Sequence, residues 1–213
     1  AQEAELAETP ESPTTTAIIE HPEKPLIAKK TPLQRSWTMW YDAPSKNNKK
    51  ADQTTYHQNI KQIVSFRTVE DFWSLFNNLM PPSNLKDKCN YHMFKEGIMP
   101  AWEDPQNAHG GKWVVELKPT EKAELDTVWL FTLLAMIGEN FEAADEICGC
   151  VVSLRQFRNR VGLWTKTASN DAVQLQIGNE FKKAIEIRPG VKIGFTSHAD
   201  AQNYQQAQTP QHE

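Results

Sequence analysis

With 213 residues, 39% of them apolar, and a net charge of −4, the chain has enough material for one folded domain and lacks the broad basic surface that nonspecific duplex binding needs. Its longest apolar run, Val128 to Ile137, falls far short of the roughly 20 residues a membrane span requires, and the first residues show no basic-then-apolar secretory pattern, so a cytosolic or nuclear protein without membrane association is expected. Cys89, Cys148 and Cys150 form no CxxC pair and have no histidines at zinc spacing, which argues against a disulfide framework or a zinc site.

Residues 1–31 carry Pro10, Pro13, Pro22 and Pro25 among Glu3, Glu5, Glu8 and Glu11, with little apolar area to bury, and are expected to be a disordered tail. From 32 to 200 the chain has the patterning of a folded domain. Runs rich in β-branched and aromatic residues predict strands over 35–41, 62–66, 90–94, 112–117, 147–155, 160–165, 184–188 and 192–197. Some connections are too short for a parallel crossover, so one large, mostly antiparallel sheet is expected.

Helices are predicted from Thr68, over 124–138 and over 170–183. The first has an N-cap threonine followed by Glu70 and Asp71 at the positive end of the helix dipole. At 100° per residue its Leu75, Leu79, Phe72, Phe76, Val69 and Trp73 share one arc, with Trp73 at the border. The second is apolar almost all round from Val128, which implies either deep burial or a face left for a partner. The third spaces Val173, Ile177 and Phe181 four apart, as for a helix lying on a sheet. The class is α+β, with three helices covering one face. Residues 201–213, and the stretch from 199 more generally, are expected to be a loose end.

The sequence contains no GxSxG, GxxxxGK, GxGxxG, HExxH or EF-hand loop, and "HGGK" at 109–112 lacks the upstream glycine of a phosphate loop; no enzyme, metal or cofactor is expected. The aromatic residues carry more information. In "MPAWEDPQNAHGGKW" (99–113) Trp102 sits beside Glu103 among turn formers. An exposed indole attracts a flat cationic ring, and a neighbouring carboxylate accepts N–H donors from its edge, as guanine methylated at N7 would offer. The same pair fits a loop tryptophan packed on the core beside a solvated glutamate. "SLRQFRNRVGLW" (153–164) places Arg155, Arg158 and Arg160 at a tight hairpin, where guanidinium forks could hold a phosphate chain or simply form a solvated basic turn.

"SWTMWY" (36–41), "TVEDFWSLFNNL" (68–79), "FKEGIMPAWEDPQNAHGGKW" (94–113), "LDTVWLFTLLAMIGENF" (125–141), "CGCVVSLR" (148–155) and "SHAD" (197–200) resemble, in order and at matching intervals, the eukaryotic translation initiation factor 4E family. That resemblance implies a curved eight-stranded sheet with three helices on its convex face and the messenger RNA 5′ cap, 7-methylguanosine, in its concave face. It implies cap-binding roles for Tyr56, Trp102, Glu103 and Trp164, and phosphate-binding roles for Arg155 and Arg160, with Lys112 and Arg158 beside them. On the convex face it implies that Pro32, Val69, Trp73, Leu130, Phe131, Leu134 and Gly138 receive a short helix from an initiation scaffold or from 4E-binding proteins. A cytoplasmic or nuclear monomer that is not an enzyme is implied.

Several positions depart from the family pattern. Tyr56 stands where tryptophan is usual and offers a smaller stacking face. Phe157 occupies a position that is basic in many members, and Phe131 one that is commonly acidic. "YHQNIKQI", "FKEGI" and "KTAS" resemble the divergent 4E-homologous branch, often repressive, so a translational repressor is the alternative; a carbohydrate-binding module is a distant one.

Overall fold

The computed structural model describes residues 29–44 and 59–208. Among the described residues, seven strands form one open, curved antiparallel sheet in the order β2-β1-β3-β5-β6-β4-β7. They are β1 (Pro32–Asp42), β2 (Lys61–Thr68), β3 (Asn90–Lys95), β4 (Gly111–Leu117), β5 (Ile147–Ser153), β6 (Asn159–Thr165) and β7 (Ile193–Ser197). Four α-helices that lie wholly within the described residues accompany them: α1 (Val69–Asn78), α2 (Lys122–Ile137), α3 (Asp171–Ala184) and α4 (His198–Gln208).

Because alternate side chains of a strand point to opposite faces, and residues paired across an antiparallel ladder share a face, the register divides the sheet cleanly. Trp37 and Met39 of β1, Tyr91 and Met93 of β3, Cys150 and Val152 of β5, Val161 and Leu163 of β6, and Val115 and Leu117 of β4 are buried in one core. Phe72 of α1, seven apolar residues of α2 including Leu125, Trp129 and Leu133, and Ile177 and Phe181 of α3 fill the same core. The opposite face presents the intervening residues: Asp42, Asn90, His92, Ser153, Arg160, Trp164, Lys112 and Glu116.

Helix α1 begins where its cap predicts, with the Thr68 hydroxyl accepting from the Asp71 N–H at 3.2 Å. Helix α3 is capped in the same way by Asn170, whose side chain accepts from the Val173 N–H at 3.3 Å.

Three expectations are corrected. Residues 184–188 are not a strand, so the described sheet has seven strands rather than eight. Helix α3 runs to Ala184, the Ile185 N–H donates to the Phe181 carbonyl at 3.1 Å, and Glu186 turns the chain with a positive φ of 48°. The alternation of Ile185 and Ile187 that mimics a strand is a connection lying against the core, with Ile185 buried. The stretch from 199, expected to be a loose end, carries α4 as far as Gln208. Ser197 caps it: its hydroxyl accepts from the Asp200 N–H at 3.0 Å and donates to the Asp200 carboxylate at 2.7 Å. Strand β5 is also shorter than predicted, because Leu154 leaves the hairpin to exchange backbone hydrogen bonds with Lys88 and Cys89.

Candidate functional site

The loop between β3 and β4 holds Trp102 at its surface through two polar side chains. The Asp104 carboxylate accepts from the N–H groups of Met99 and Gln106, both at 2.8 Å. Asn107, fully buried, donates from its amide to the carbonyls of Met99 at 2.8 Å and Ala101 at 2.7 Å. Side chains thus replace the ladder this segment lacks and fix the backbone on both sides of Trp102 and Glu103. Trp102 is half-buried and Glu103 exposed. The far end of the loop is pinned to the sheet at Gly110, where a Cβ would stand 1.9 Å from the Thr165 carbonyl oxygen, so only glycine fits.

Trp164, also half-buried, lies at that same end of β6. Its ring meets Phe94 edge-on at 5.4 Å and His198 at 4.2 Å. Gly149 lies between Phe94 and Trp164 in the ladder, and a Cβ there would sit 2.3 Å from the Phe94 ring; its missing side chain lets the two rings meet. Burial, aided by the nearby Lys112 ammonium, pushes the His198 imidazole down to about 4. It therefore stands neutral against the indole at neutral pH.

Lys112 is paired across the ladder with Trp164, and Glu116 with Arg160. Burial lowers the Lys112 ammonium from its usual range, and the positive charges of Arg160 and Arg155 lower it further, so these three cations act on one another. Arg160 donates from Nε to Glu116 at 2.8 Å, both groups being largely exposed; such a surface pair is worth at most about 1 kcal/mol and yields readily to a phosphate. Arg155 is held more firmly. Its Nη1 donates to the Asn90 amide oxygen at 3.0 Å and to the Leu154 carbonyl at 2.7 Å. The Asn90 amide nitrogen in turn donates to both Asp42 oxygens, at 2.8 and 3.0 Å, and His92 Nε2 is 2.8 Å from Asp42. Arg158 is exposed and lines a neighbouring cleft instead of joining this group.

From Trp164 to Arg160 along β6 is four residues, roughly 13 Å at strand spacing. A ring at one end and anions at the other suit a nucleotide carrying several phosphates. Tyr56 lies outside the described residues. Among the described residues, no group of acidic, histidine and cysteine side chains could hold a metal.

On the helical side, Trp73 is 37% exposed at the border of α1, and Val69 beside it donates its N–H to the Thr31 carbonyl at 2.9 Å. Pro32, exposed, pairs with Thr68 in the ladder and so adjoins the start of α1. Leu130, Phe131 and Leu134 of α2 are half-buried, and Gly138, exposed, closes that helix by donating to the Leu134 carbonyl at 2.9 Å. The spare apolar surface anticipated for α2 is therefore confined to one side, while Leu125, Val128, Trp129, Leu133 and Met136 are buried. An apolar cavity of about 280 Å³ between the end of α1 and α2, lined by Phe76, Leu79, Met80, Trp129 and Leu130, extends this surface.

An α+β domain whose single sheet is packed by helices on one face and carries aromatics and cations on the other can bind a flat, anionic ligand without covalent chemistry. Residues 32–212 match the family described as eukaryotic initiation factor 4E, and the chain belongs to that family. It is 42% identical over 186 residues to eukaryotic translation initiation factor 4E-1 of Prunus domestica, covering 87% of this chain and 78% of that one. To eukaryotic translation initiation factor isoform 4E of Nicotiana tabacum it is 39% identical over 205 residues, covering 96% and 94%. Similar solved structures include C. elegans eIF4E-3 in complex with the 4E-binding protein Mextli and a cap analogue, at 36% identity and a TM-score of 0.75, covering 86% of this chain and 99% of that one. Ascaris suum eIF4E-3 with an m2,2,7G cap matches at 40% identity and a TM-score of 0.74, covering 80% and 92%.

Sequence reasoning missed Asn90, which holds Arg155, the Asp42 and His92 pair behind it, and the supporting parts played by Asp104, Asn107 and His198. The loop pair could have been read from turn chemistry, since Asp and Asn commonly satisfy loop backbone. The Arg155 support could not, because Asp42 and Asn90 are 48 positions apart and meet only through the pairing of β1 with β3.

Proposed function

We propose that this chain binds the 7-methylguanosine 5′ cap of messenger RNA on the polar face of its sheet and recruits the translation initiation scaffold, or 4E-binding proteins, through its helical face. In this reading Tyr56 and Trp102 stack on the methylated ring, Glu103 accepts from its N1–H and exocyclic amine, and Trp164 contacts the methyl group. Lys112, Arg155 and Arg160 hold the phosphates, while Arg158 lines the neighbouring cleft. Pro32, Val69, Trp73, Leu130, Phe131, Leu134 and Gly138 receive the partner's helix. The protein acts by binding and not as an enzyme, as a cytoplasmic or nuclear monomer.

The observation that carries the reading is the alignment along β6 of an aromatic end, where the Trp102 loop is pinned beside Trp164, with a cationic end at Arg155 and Arg160. Family membership, and cap-bound neighbours at similar identity, support the choice of ligand. Stacking contributes about 1–3 kcal/mol per ring, and each hydrogen bond to a charged group about 1.5–3 kcal/mol. Set against an association cost of about 4–15 kcal/mol, these allow affinity on the order of micromolar. Plant relatives described as initiation factors favour recruitment over repression.

Fluorescence titration with 7-methylguanosine triphosphate and with unmethylated GTP tests the reading: strong preference for the methylated nucleotide is expected, and equal binding overturns it. Glu103→Ala should lower cap affinity about 10- to 100-fold with an unchanged melting temperature; undiminished affinity removes Glu103 from the base-reading role.

A further inference from the structure

Phe157, at the tip of the β5–β6 hairpin, is 80% exposed, the most exposed of the large apolar side chains described. It stands between Arg155 and Arg158, and Arg160 follows. A ring left in water between guanidinium groups has no packing role in the fold. It offers a stacking surface next to phosphate-binding charge, the pairing that single-stranded nucleic acid requires.

The sheet beside it is shaped to match. Gly162 of β6, Val114 of β4 and Gly194 of β7 are paired in one row across the polar face. A Cβ on Gly194 would meet nothing within 4 Å. This row is therefore a shallow trough between the taller row of Trp164, Lys112 and Thr196 and that of Arg160 and Glu116. It leads from the site to the β7 edge, into a cleft of about 710 Å³ whose charged lining is Lys118, Arg158, Arg188 and Lys192 with Glu116 and Glu121. Arg188 is committed to Glu121 and Glu124. Arg158, Lys118 and Lys192 form no ion pair with the described residues and remain available to an anion.

We propose that the trough and cleft take the first nucleotides of the RNA downstream of the cap, with Phe157 stacking on a base and Lys118 and Lys192 contacting the backbone. The proposal rests on the cap-binding reading and extends it from the cap to the transcript. An acidic peptide would satisfy the cations but would leave the aromatic tip unused, so RNA is the better fit.

The test compares four ligands on the full chain: 7-methylguanosine triphosphate, a capped pentaribonucleotide, the same RNA with an uncapped 5′ triphosphate, and a pentaglutamate peptide. The capped RNA should bind tighter than the cap nucleotide. Phe157→Ala should weaken both RNAs about 5- to 50-fold while leaving the cap nucleotide within about twofold. Lys192→Glu should reduce the salt dependence of RNA binding by about one phosphate contact. Circular dichroism verifies folding, which an exposed tip residue should not disturb. Equal affinity for capped RNA and cap nucleotide, RNA binding indifferent to both substitutions, or displacement of RNA by pentaglutamate at comparable concentration overturns the proposal. If the wild type ignores the methylated nucleotide while Phe157→Ala still weakens the uncapped RNA, the cap reading falls and the downstream groove stands.

Discussion

Leu163 and Trp164 are neighbours on β6, yet they belong to two different structures. Leu163 is fully buried in the helical core, where its value lies in volume and apolar area, and any side chain of similar shape would serve. Trp164 belongs to the polar face, where its position is set by the Phe94 ring, the gap at Gly149 and a buried neutral histidine. One face of the sheet is stabilised by packing and tolerates changes that conserve volume. The other is organised by hydrogen bonds and charge, and tolerates changes only where they leave the directions of those groups intact.

The largest expected effect probes the core. Leu163→Ala should cost about 2–5 kcal/mol in urea unfolding, while Trp164→Phe, which keeps an aromatic at the neighbouring position, should change stability by less than about 1.5 kcal/mol and weaken cap binding. Equal stability losses would remove the distinction between the faces.

Next comes the acid sensitivity of the polar face. His198 is held near a pKa of about 4 when folded and returns toward 6.5 on unfolding. The unfolded chain therefore binds a proton between those values that the folded chain refuses. Stability should fall as pH drops from 6.5 toward 4, by up to about 3 kcal/mol, and be insensitive to this group above pH 6.5. His198→Phe should flatten that limb in unfolding measured across the pH series; an unchanged slope would assign the acid loss elsewhere.

A smaller effect should follow from Asn90→Ala, which cuts Arg155 from Asp42 and leaves buried polar groups unmatched, costing about 1–3 kcal/mol of stability. Its diagnostic consequence is selective: affinity for 7-methylguanosine triphosphate should fall more than affinity for the monophosphate. Equal losses for both would mean that Asn90 supports the fold without orienting Arg155.

The smallest effect is expected at Tyr56→Trp. A larger stacking face should tighten cap binding by up to about 10-fold, read by titration, and unchanged or weaker affinity would argue against Tyr56 as a stacking residue.

Much of the fold was legible because local physics and tertiary packing agree. Thr68 and Asn170 cap the helices that their sequences announce, and the strand runs from β1 to β7 fall close to their predicted places. The errors come where apolar spacing has two causes. Ile185 and Ile187 alternate because a connection rests on the core, and the polar stretch after Ser197 is helical although its composition suggested a loose end. In the site, Trp102, Glu103 and the arginines stood out as residue types suited to a charged nucleotide, whereas Trp164 entered only with the family resemblance.

By itself the sequence determined the α+β class, the capped helices, the two-faced strands and the kinds of chemistry available, since these follow from periodicity and from side-chain types within a few residues of one another. Only the tertiary structure decided that Asp42 and Asn90 orient Arg155, that Arg158 faces the cleft, and that Gly162, Val114 and Gly194 form one trough. Those arrangements depend on which strands pair and in what register. Register is set by the burial of the whole opposite face, which no single stretch of chain contains.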